Sequence, residues 1–157
     1  SGIQESAFWL TNPEAARVVK WLQDKYPVME RYRAGLVALL HERGYTTTYF
    51  GRRIHRPEVW SGPGPARAHA ERSVMPDAIQ GTAADVMKIW LPRLAHELAP
   101  NAHLLLTIHD EVVAEVASDW VERAVAACTT ALRGIIPVRL PCEVSVGPNW
   151  ADMVRVS

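Results

Sequence analysis

The sequence predicts an α+β fold, in which helices pack with a small and mostly antiparallel sheet. Stretches with apolar residues near helical spacing fill much of the chain, and short runs rich in branched residues lie between them. Two of these runs, residues 104–108 and 112–116, follow each other closely enough to form an antiparallel hairpin. The chain has 157 residues, of which 48% are hydrophobic and 22% charged, so it can bury a core and is not expected to be disordered.

Two helices are predicted in the first part of the chain. Capping side chains and a proline at residues 11–13 begin the first helix, which should run to about residue 24. Pro27 separates it from a second helix that should reach about Arg43, because Gly44 is a natural helix stop.

A strand and a loop are predicted next. Residues 45–49 are rich in threonine and tyrosine, as strands are, and Gly51 suggests a turn that sends the chain back. Residues 61–65 have the sequence Ser-Gly-Pro-Gly-Pro, which is incompatible with regular structure. They should form a loop, and they are the only candidate linker.

Further helices and a last strand are predicted in the second part. A helix at residues 66–79 is expected to kink or end near Pro76. A separate helix should follow at residues 83–98, with Pro92 as a second interruption. A helix at residues 119–132 and a strand at residues 140–146 complete the predicted elements.

Basic residues are concentrated in one segment, although the chain has no net charge. Between His41 and Arg72, six arginines are opposed by three glutamates. A local basic strip of this kind fits a surface that meets phosphates. The alternative is that these side chains form surface ion pairs on solvated helix faces. The arginines are Arg43, Arg52, Arg53, Arg56, Arg67 and Arg72.

The tip of the predicted hairpin carries an imidazole and two adjacent carboxylates, from His109, Asp110 and Glu111. Such side chains on a strand turn are poorly suited to filling a core. Hard divalent cations prefer oxygen ligands held on a rigid support. The sequence therefore predicts a metal site at this tip.

Cysteine content and hydropathy favour a cytoplasmic protein without a membrane span. Cys128 and Cys142 are too few for a disulfide framework, and we interpret them as reduced thiols. No apolar run approaches the roughly 20 residues that a bilayer-spanning helix needs. The first residues also lack the pattern of a secretory signal.

Several short strings occur in a specific order along the chain. They are Gly51-Arg52-Arg53, Ala70-Glu71-Arg72, Gln80-Gly81-Thr82-Ala83-Ala84-Asp85, His109-Asp110-Glu111 and Gly147-Pro148-Asn149-Trp150. In this combination the sequence resembles the C-terminal part of family A DNA polymerases, the bacterial DNA polymerase I type. The resemblance extends from about residue 7 to residue 150, which is nearly the whole chain.

The resemblance implies part of a right-hand polymerase domain, whose palm is an antiparallel sheet with two metal-binding aspartates. Asp110 matches the second aspartate, Glu111 would be a secondary carboxylate beside the metal, and His109 would contact the primer end. Two Mg²⁺ ions would serve the transfer of a nucleotide from a dNTP to the primer 3′ end on primer-template DNA, in replication and repair. The alternatives are a structural histidine at a strand end for His109 and an ordinary turn residue for Asp110.

The resemblance also implies contacts with DNA. Arg72 and Gln80 match residues that contact the duplex from the minor-groove side, where correct base pairs present similar acceptors. Alternatively, Arg72 pairs with a nearby acid and Gln80 caps a helix that begins near residue 82. Arg52 and Arg53 either hold the template backbone or shape the palm, and Asp85 is expected to be structural rather than a metal ligand.

One departure from the family pattern lies between these DNA-contacting positions. The family usually has asparagine four residues after the position of Arg72, where this chain has Pro76, followed by Asp77. Proline removes a side-chain donor, and the aspartate adds a negative charge that could repel the phosphate backbone. The departure puts normal fidelity in doubt, and activity with it.

A larger departure is that two family features are missing from the sequence. It contains no strand that resembles Asp-Tyr-Ser-Gln-Ile-Glu, which carries the first metal aspartate, and no fingers helix. Residues 1–157 are therefore expected to form a single partial domain, inactive alone, whose partner is an N-terminal polymerase portion. The alternatives are a non-catalytic DNA-binding or scaffolding relative and, less favoured, a metal-dependent hydrolase built on the hairpin tip.

The tryptophan content predicts an interface. Six tryptophans are many for this length, and most of them are expected in the core. Trp9 and Trp60 lie near a helix start and a loop, where an interface is expected instead. An isolated palm segment should expose apolar surface, so self-association, as a homo-oligomer, or binding of a partner chain is expected.

Overall fold

The structure is a computed structural model that describes residues 11–156. Trp9 lies outside the described residues. The chain divides into two compact units. The first comprises the residues up to Thr47 together with Arg53–Asp77, and the second comprises Thr48–Arg52 and the residues from Ala78 onward. The predicted linker at residues 61–65 lies inside the first unit, and the single partial domain stays a prediction.

The first unit begins with the two predicted helices, α1 (Asn12–Lys25) and α2 (Pro27–Arg43). The α1 start is a capping box, in which the carboxylate of Glu14 accepts hydrogen bonds from the Thr11 backbone N–H at 2.8 Å and from its hydroxyl at 2.6 Å. The two helix predictions are confirmed.

A short antiparallel pair follows, β1 (Tyr45–Thr47) with β2 (Arg53–His55), in which Thr46 lies opposite Ile54. The predicted strand and its return are confirmed, although β1 ends two residues before residue 49. A 3₁₀ turn at Pro57–Trp60 then leads to the next helix. The core of this unit consists of Leu40, Val59, Ala70 and Val74, with Leu36 and Val37 packed against it.

A single helix, α3 (Pro65–Leu98), replaces the two helices predicted in this region. The predicted end of a helix near Pro76 is therefore wrong, and a kink at Pro76 stays a prediction. Every fourth residue from Ala70 to Leu98 lies on one ridge, and all of these residues are buried except the half-buried Thr82. Pro76 and Pro92 are exposed and off this ridge, so burial of the ridge continues the helix through both prolines.

The second unit contains the predicted hairpin, β3 (Ala102–Ile108) and β4 (Glu111–Val116), followed by α4 (Val121–Leu132). Its core combines the end of α3 with one face of α4, and the hairpin packs against it through partly buried side chains. The buried core residues are Val86, Trp90, Leu94, Leu98, Ala124, Ala127, Ala131 and Ile135. The indole N–H of Trp90 donates to the backbone carbonyl of Cys128 at 3.1 Å.

The end of the chain differs from the prediction. Only Ser145–Val146 (β5) of the predicted strand is regular, and it pairs antiparallel with Val154–Arg155 (β6), which the sequence did not indicate. The expected alternation persists, since Cys142, Val144 and Val146 are partly buried while the residues between them are exposed. The described strands therefore form three two-stranded antiparallel sheets and not one small sheet.

Apolar side chains are more exposed than the sequence suggested. Among the tryptophans of residues 11–156, Trp90 is buried, whereas Trp21, Trp60 and Trp150 are exposed, so the prediction that most are core residues is wrong. Helices α1 and α2 also expose many apolar side chains. Self-association stays a prediction. None of the described helices is both long and apolar enough to cross a bilayer.

Burial also explains the behaviour expected of the two cysteines. Both are free thiols, partly buried against the core of the second unit. Burial raises the pKa of the Cys128 thiol to about 11, with a smaller contribution from Cys142. The thiolate population at neutral pH is therefore small, in agreement with cysteines that fill space and do not react.

The end of α2 provides a stability test at Gly44. This residue has a φ of +72°, and a Cβ added there would overlap the Trp60 ring, whose indole N–H donates to the His41 carbonyl at 2.8 Å. We expect Gly44→Ala to lower the free energy of unfolding by about 1–3 kcal/mol in urea titrations.

The control for this substitution is Gly35→Ala in the middle of α2. A Cβ at Gly35 meets nothing within 4 Å, so alanine should raise the unfolding free energy by about 0.5–1 kcal/mol. Equal effects of the two substitutions would contradict the packing of Trp60 over Gly44.

Candidate functional site

The hairpin tip is a two-residue loop, His109-Asp110. Ile108 and Glu111 face each other in the ladder, so Glu111 is the first residue of β4 and not part of the loop. His109 has a φ of +54°, a conformation that glycine normally supplies at the first position of such loops. This backbone costs roughly 1–3 kcal/mol. Apart from the shortness of the loop, no feature of the sequence indicates it.

All three side chains of the predicted metal site are exposed at this end of the hairpin. Within residues 11–156, no three histidine, cysteine, aspartate or glutamate side chains converge as a metal-binding group. The donor chemistry of Asp110 and Glu111 fits a divalent cation, but these residues supply only part of a coordination sphere. A hydrolase that uses the tip as a complete metal site is therefore not supported.

Arg52 makes the most extensive contacts of the predicted DNA-binding residues. Its Nε donates to Oδ1 of Asp85 at 2.6 Å, and its Nη2 donates to the backbone carbonyl of Gly81 at 3.0 Å. The contacts tie the turn after β1 to α3. The geometry favours the alternative in which Arg52 shapes the fold, and its DNA contact stays a prediction.

Asp85 is a buried structural residue, as expected, with 8% of its surface exposed. Burial alone would raise the pKa of its carboxyl, but the Thr48 hydroxyl and the Arg52 guanidinium outweigh burial and hold the pKa below its ordinary value. Lys88 adds a weaker attraction, with its Nζ 3.8 Å from Oδ1. The carboxylate is therefore ionised at neutral pH and fixed to its partners.

Arg53 differs from its neighbour. Its guanidinium carbon lies 4.8 Å from the centre of the Tyr45 ring, a cation–π contact across the β1–β2 pair. Arg53 is exposed and forms no ion pair among the described residues. Its charge remains available to a phosphate.

Arg72 and Gln80 are both exposed on α3. Arg72 forms no ion pair with the described residues, which gives no support to the alternative in which it pairs with an acid. The alternative in which Gln80 caps a helix start is wrong, because α3 continues through residue 80. Both side chains are free to make the contacts that the resemblance implies, which stay predictions.

The rest of the arginine strip is engaged in ion pairs. Arg56 donates to both carboxylate oxygens of Asp77, at 2.8 and 2.9 Å, and Arg67 donates to Glu71 at 2.9 Å. Arg43 reaches Glu42 at a longer 3.4 Å. With Arg52 included, four of the six arginines follow the ion-pair interpretation, and Arg53 and Arg72 do not.

Sequence comparison gives a consistent set of relatives. A sequence model of DNA polymerase family A matches residues 3–152. Thermostable DNA polymerase I of Thermus thermophilus is 36% identical over 135 residues, covering 85% of this chain and 16% of that protein. The Thermus filiformis protein is 42% identical over 128 residues, covering 78% of this chain and 15% of that protein. DNA polymerase I of Pseudomonas aeruginosa is 35% identical over 133 residues, covering 82% of this chain and 15% of that protein.

Structural comparison agrees with these relatives. The POL domain of Pol1 from M. smegmatis, in complex with DNA primer-template and dNTP, matches with a TM-score of 0.76 and 26% sequence identity. The match covers 82% of this chain and 23% of that chain, and it confirms the predicted α+β class. The chain spans about a sixth of the length of the curated relatives that it matches.

The Arg52–Asp85 pair provides a second stability test. We expect Asp85→Asn to lower the unfolding free energy by about 1–3 kcal/mol, because it leaves the guanidinium without its counter-charge. The folded pKa of Asp85 is depressed, so its contribution is full above the pKa of an unfolded aspartate, about 4, and is lost as the pH falls through the lower folded pKa. Urea titrations between about pH 3 and pH 7 measure this difference.

The control is the same substitution at an exposed pair. Oδ2 of Asp24 lies 3.0 Å from Nζ of Lys20 on α1, and the Asp24 side chain is 66% exposed. Asp24→Asn should therefore change the unfolding free energy by less than about 0.5 kcal/mol. Similar losses of unfolding free energy at the two positions would contradict a stabilising Arg52–Asp85 ion pair. A loss at Asp85 that does not depend on pH would contradict it as well.

Proposed function

The chain belongs to DNA polymerase family A, and we propose that it is a C-terminal palm segment that takes part in template-directed DNA synthesis. In this proposal the complete enzyme is a DNA-directed DNA polymerase that extends a primer on template DNA with dNTPs, in replication and repair. The family match over residues 3–152 and the likeness to a POL domain in complex with primer-template and dNTP support it. The bacterial relatives favour the cytoplasm as its location.

The position of Asp110 is the observation that supports this function best. Its carboxylate lies at the tip of a two-residue hairpin loop, where the ladder of β3 and β4 fixes the backbone on both sides. Asp110 would hold one side of a divalent metal ion, Mg²⁺ in our proposal, with Glu111 beside it. Two such ions, when bound, would activate the primer 3′ hydroxyl and stabilise charge on the triphosphate.

His109 contributes a different group at the same tip. Its exposed imidazole can hydrogen-bond to the primer end, and the positive φ fixes the direction in which the side chain leaves the backbone. We propose that the strained conformation is retained because it places this ring and the Asp110 carboxylate side by side.

The metal site needs a carboxylate from another segment. No complete ligand group occurs among residues 11–156. Among the described strands the hairpin is a two-stranded sheet, so β3 and β4 each present an outer edge on which a further strand could pair. We propose that an N-terminal polymerase portion supplies this strand with the first metal aspartate, together with the fingers, and that the chain does not polymerise DNA without it.

The family departure at Pro76 affects DNA contact less than the sequence suggested. The Asp77 carboxylate accepts hydrogen bonds from Nε and Nη2 of Arg56, and its side chain is only 15% exposed, so its charge is neutralised within the fold. Repulsion of the phosphate backbone by Asp77 is therefore not expected. Pro76 still removes one side-chain donor between Arg72 and Gln80, which we propose contact the minor groove. Arg53 would reach the template backbone.

A non-catalytic, DNA-binding relative is the second candidate, favoured by the lack of a complete ligand group within the described residues. It would bind DNA in a salt-sensitive manner that ignores Mg²⁺ and does not need Asp110. The two functions therefore differ in a property that can be measured directly.

Primer extension tests the catalytic assignment. The chain mixed with a polymerase portion that carries the first metal aspartate and the fingers should extend a primer, and the chain alone should not. Asp110→Asn should slow extension by about 100-fold or more, because a metal ligand acts in the transition state.

Glu115→Gln is the matched control, since Glu115 is an exposed carboxylate on the same hairpin and lies opposite His103, away from the tip. It should leave extension unchanged. Extension that persists in Asp110→Asn would remove Asp110 from the active site. DNA binding without extension in any mixture would favour the non-catalytic candidate.

DNA affinity tests the role of Arg72. We expect Arg72→Ala to weaken binding of a primer-template duplex by roughly 5- to 50-fold in fluorescence anisotropy titrations, the cost of one lost charged contact. Arg17→Ala, which removes an exposed arginine on α1, is the control for net charge. Unchanged affinity in Arg72→Ala, or an equal loss in both variants, would show that Arg72 makes no specific contact.

A further inference from the structure

Two aromatic rings project from the turn between β1 and β2. Tyr49 is 63% exposed and Phe50 is 39% exposed. Their ring centroids are 5.2 Å apart, and the ring planes are nearly perpendicular, at 89°. Neither ring belongs to the core of either unit. The turn thus carries a compact apolar surface that makes no contribution to the described cores.

The backbone beneath these rings is firmly held. The Thr48 N–H donates to the Arg52 carbonyl at 2.9 Å, and the Gly51 N–H donates to the Thr48 carbonyl at 3.0 Å. The Tyr49 N–H donates to Oγ1 of Thr82 on α3 at 2.9 Å. Exposed aromatic side chains on a fixed turn lose little conformational freedom when a ligand stacks on them.

The residues that close the turn direct their polar groups into the fold. Gly51 has a φ of +82°, which a residue with a side chain adopts only with strain. The Arg52 guanidinium is directed to Asp85 and the Gly81 carbonyl, and Thr82 donates in turn to the Ala78 carbonyl at 2.7 Å. The polar groups of the turn therefore bond to α3, whereas the two rings are exposed to solvent and accessible to a ligand.

We propose that Tyr49 and Phe50 form a stacking site for an unpaired base of the template strand, adjacent to the duplex. This inference rests on the proposed function, because it assumes that the chain meets primer-template DNA. Aromatic side chains bind single-stranded nucleic acid by stacking on bases, whatever the base. Residues 48–52, which form the turn that carries both rings, include no acid that would repel a phosphate.

The chemistry of the turn predicts how binding responds to salt. The Arg52 charge is neutralised by Asp85, and the two rings are uncharged, so a base that stacks there releases no counterions. The stacking site should therefore add affinity for DNA with a template overhang without changing the slope of affinity against salt concentration. A contact made by a free arginine would change that slope.

The test compares the chain on two DNA molecules, a blunt duplex and a primer-template with a 5′ template overhang. The first unpaired template base is 2-aminopurine, whose fluorescence falls when it stacks. The wild-type chain should bind the overhang DNA about tenfold more tightly than the blunt duplex and quench the probe. The double variant Tyr49→Ala/Phe50→Ala should lose both the preference and the quenching, with the salt slope unchanged.

The control keeps both rings but exchanges them, as Tyr49→Phe/Phe50→Tyr, and it should retain the preference and the quenching. A double alanine variant that behaves like the wild type overturns the proposal. Equal wild-type binding of the two DNA molecules overturns the stacking site and leaves the proposed function standing, whereas binding of neither overturns both. Loss of self-association in the alanine variant, with DNA binding unchanged, would assign the rings to a protein contact and also overturn the proposal.

Discussion

The apolar ridge of α3 is the constraint on which the rest of the structure depends. It supplies Ala70 and Val74 to the first core and Val86, Trp90, Leu94 and Leu98 to the second. An interior proline costs a helix about 3 kcal/mol, whereas each large apolar side chain that is fully buried contributes about 1.5–3 kcal/mol. Several such side chains outweigh two prolines, so the helix continues. This continuity places Arg72, Gln80 and Asp85 on one element.

The ion pair between Arg52 and Asp85 connects this helix to the turn after β1. Its short contact, its burial at Asp85 and the lowered pKa of that carboxyl all indicate a fixed link. The link explains why this arginine of the basic strip serves the fold. The Tyr49–Phe50 rings and Arg53, close to it in the chain, remain exposed. Sequence resemblance alone therefore does not distinguish an arginine that stabilises the fold from one that is exposed to a ligand. The ion-pair partners seen in the structure make that distinction.

The sequence predicted the elements whose signals are local. The capping residues of α1, Gly44 at the end of α2 and the hairpin at residues 104–116 are all confirmed. The prolines led to the prediction of a break in α3. Local helix propensity carries no information about the buried ridge, whose packing outweighs the cost of the prolines. Strand β6 was missed because two residues give no periodicity. The pairing of Asp77 with Arg56 and the bond that holds the Tyr49 backbone to Thr82 depend on neighbours that are distant in sequence.

We propose that Asp110 holds one side of a metal site that another polymerase segment completes. Paramagnetic broadening by Mn²⁺ in NMR spectra of the chain tests this claim most directly, because Mn²⁺ accepts the same oxygen ligands as Mg²⁺. With the chain alone we expect weak Mn²⁺ binding and broadening centred on residues 109–111. Binding should become tight and saturable when a segment with the first metal aspartate is added. Tight, saturable binding by the chain alone, or broadening centred elsewhere, would contradict it.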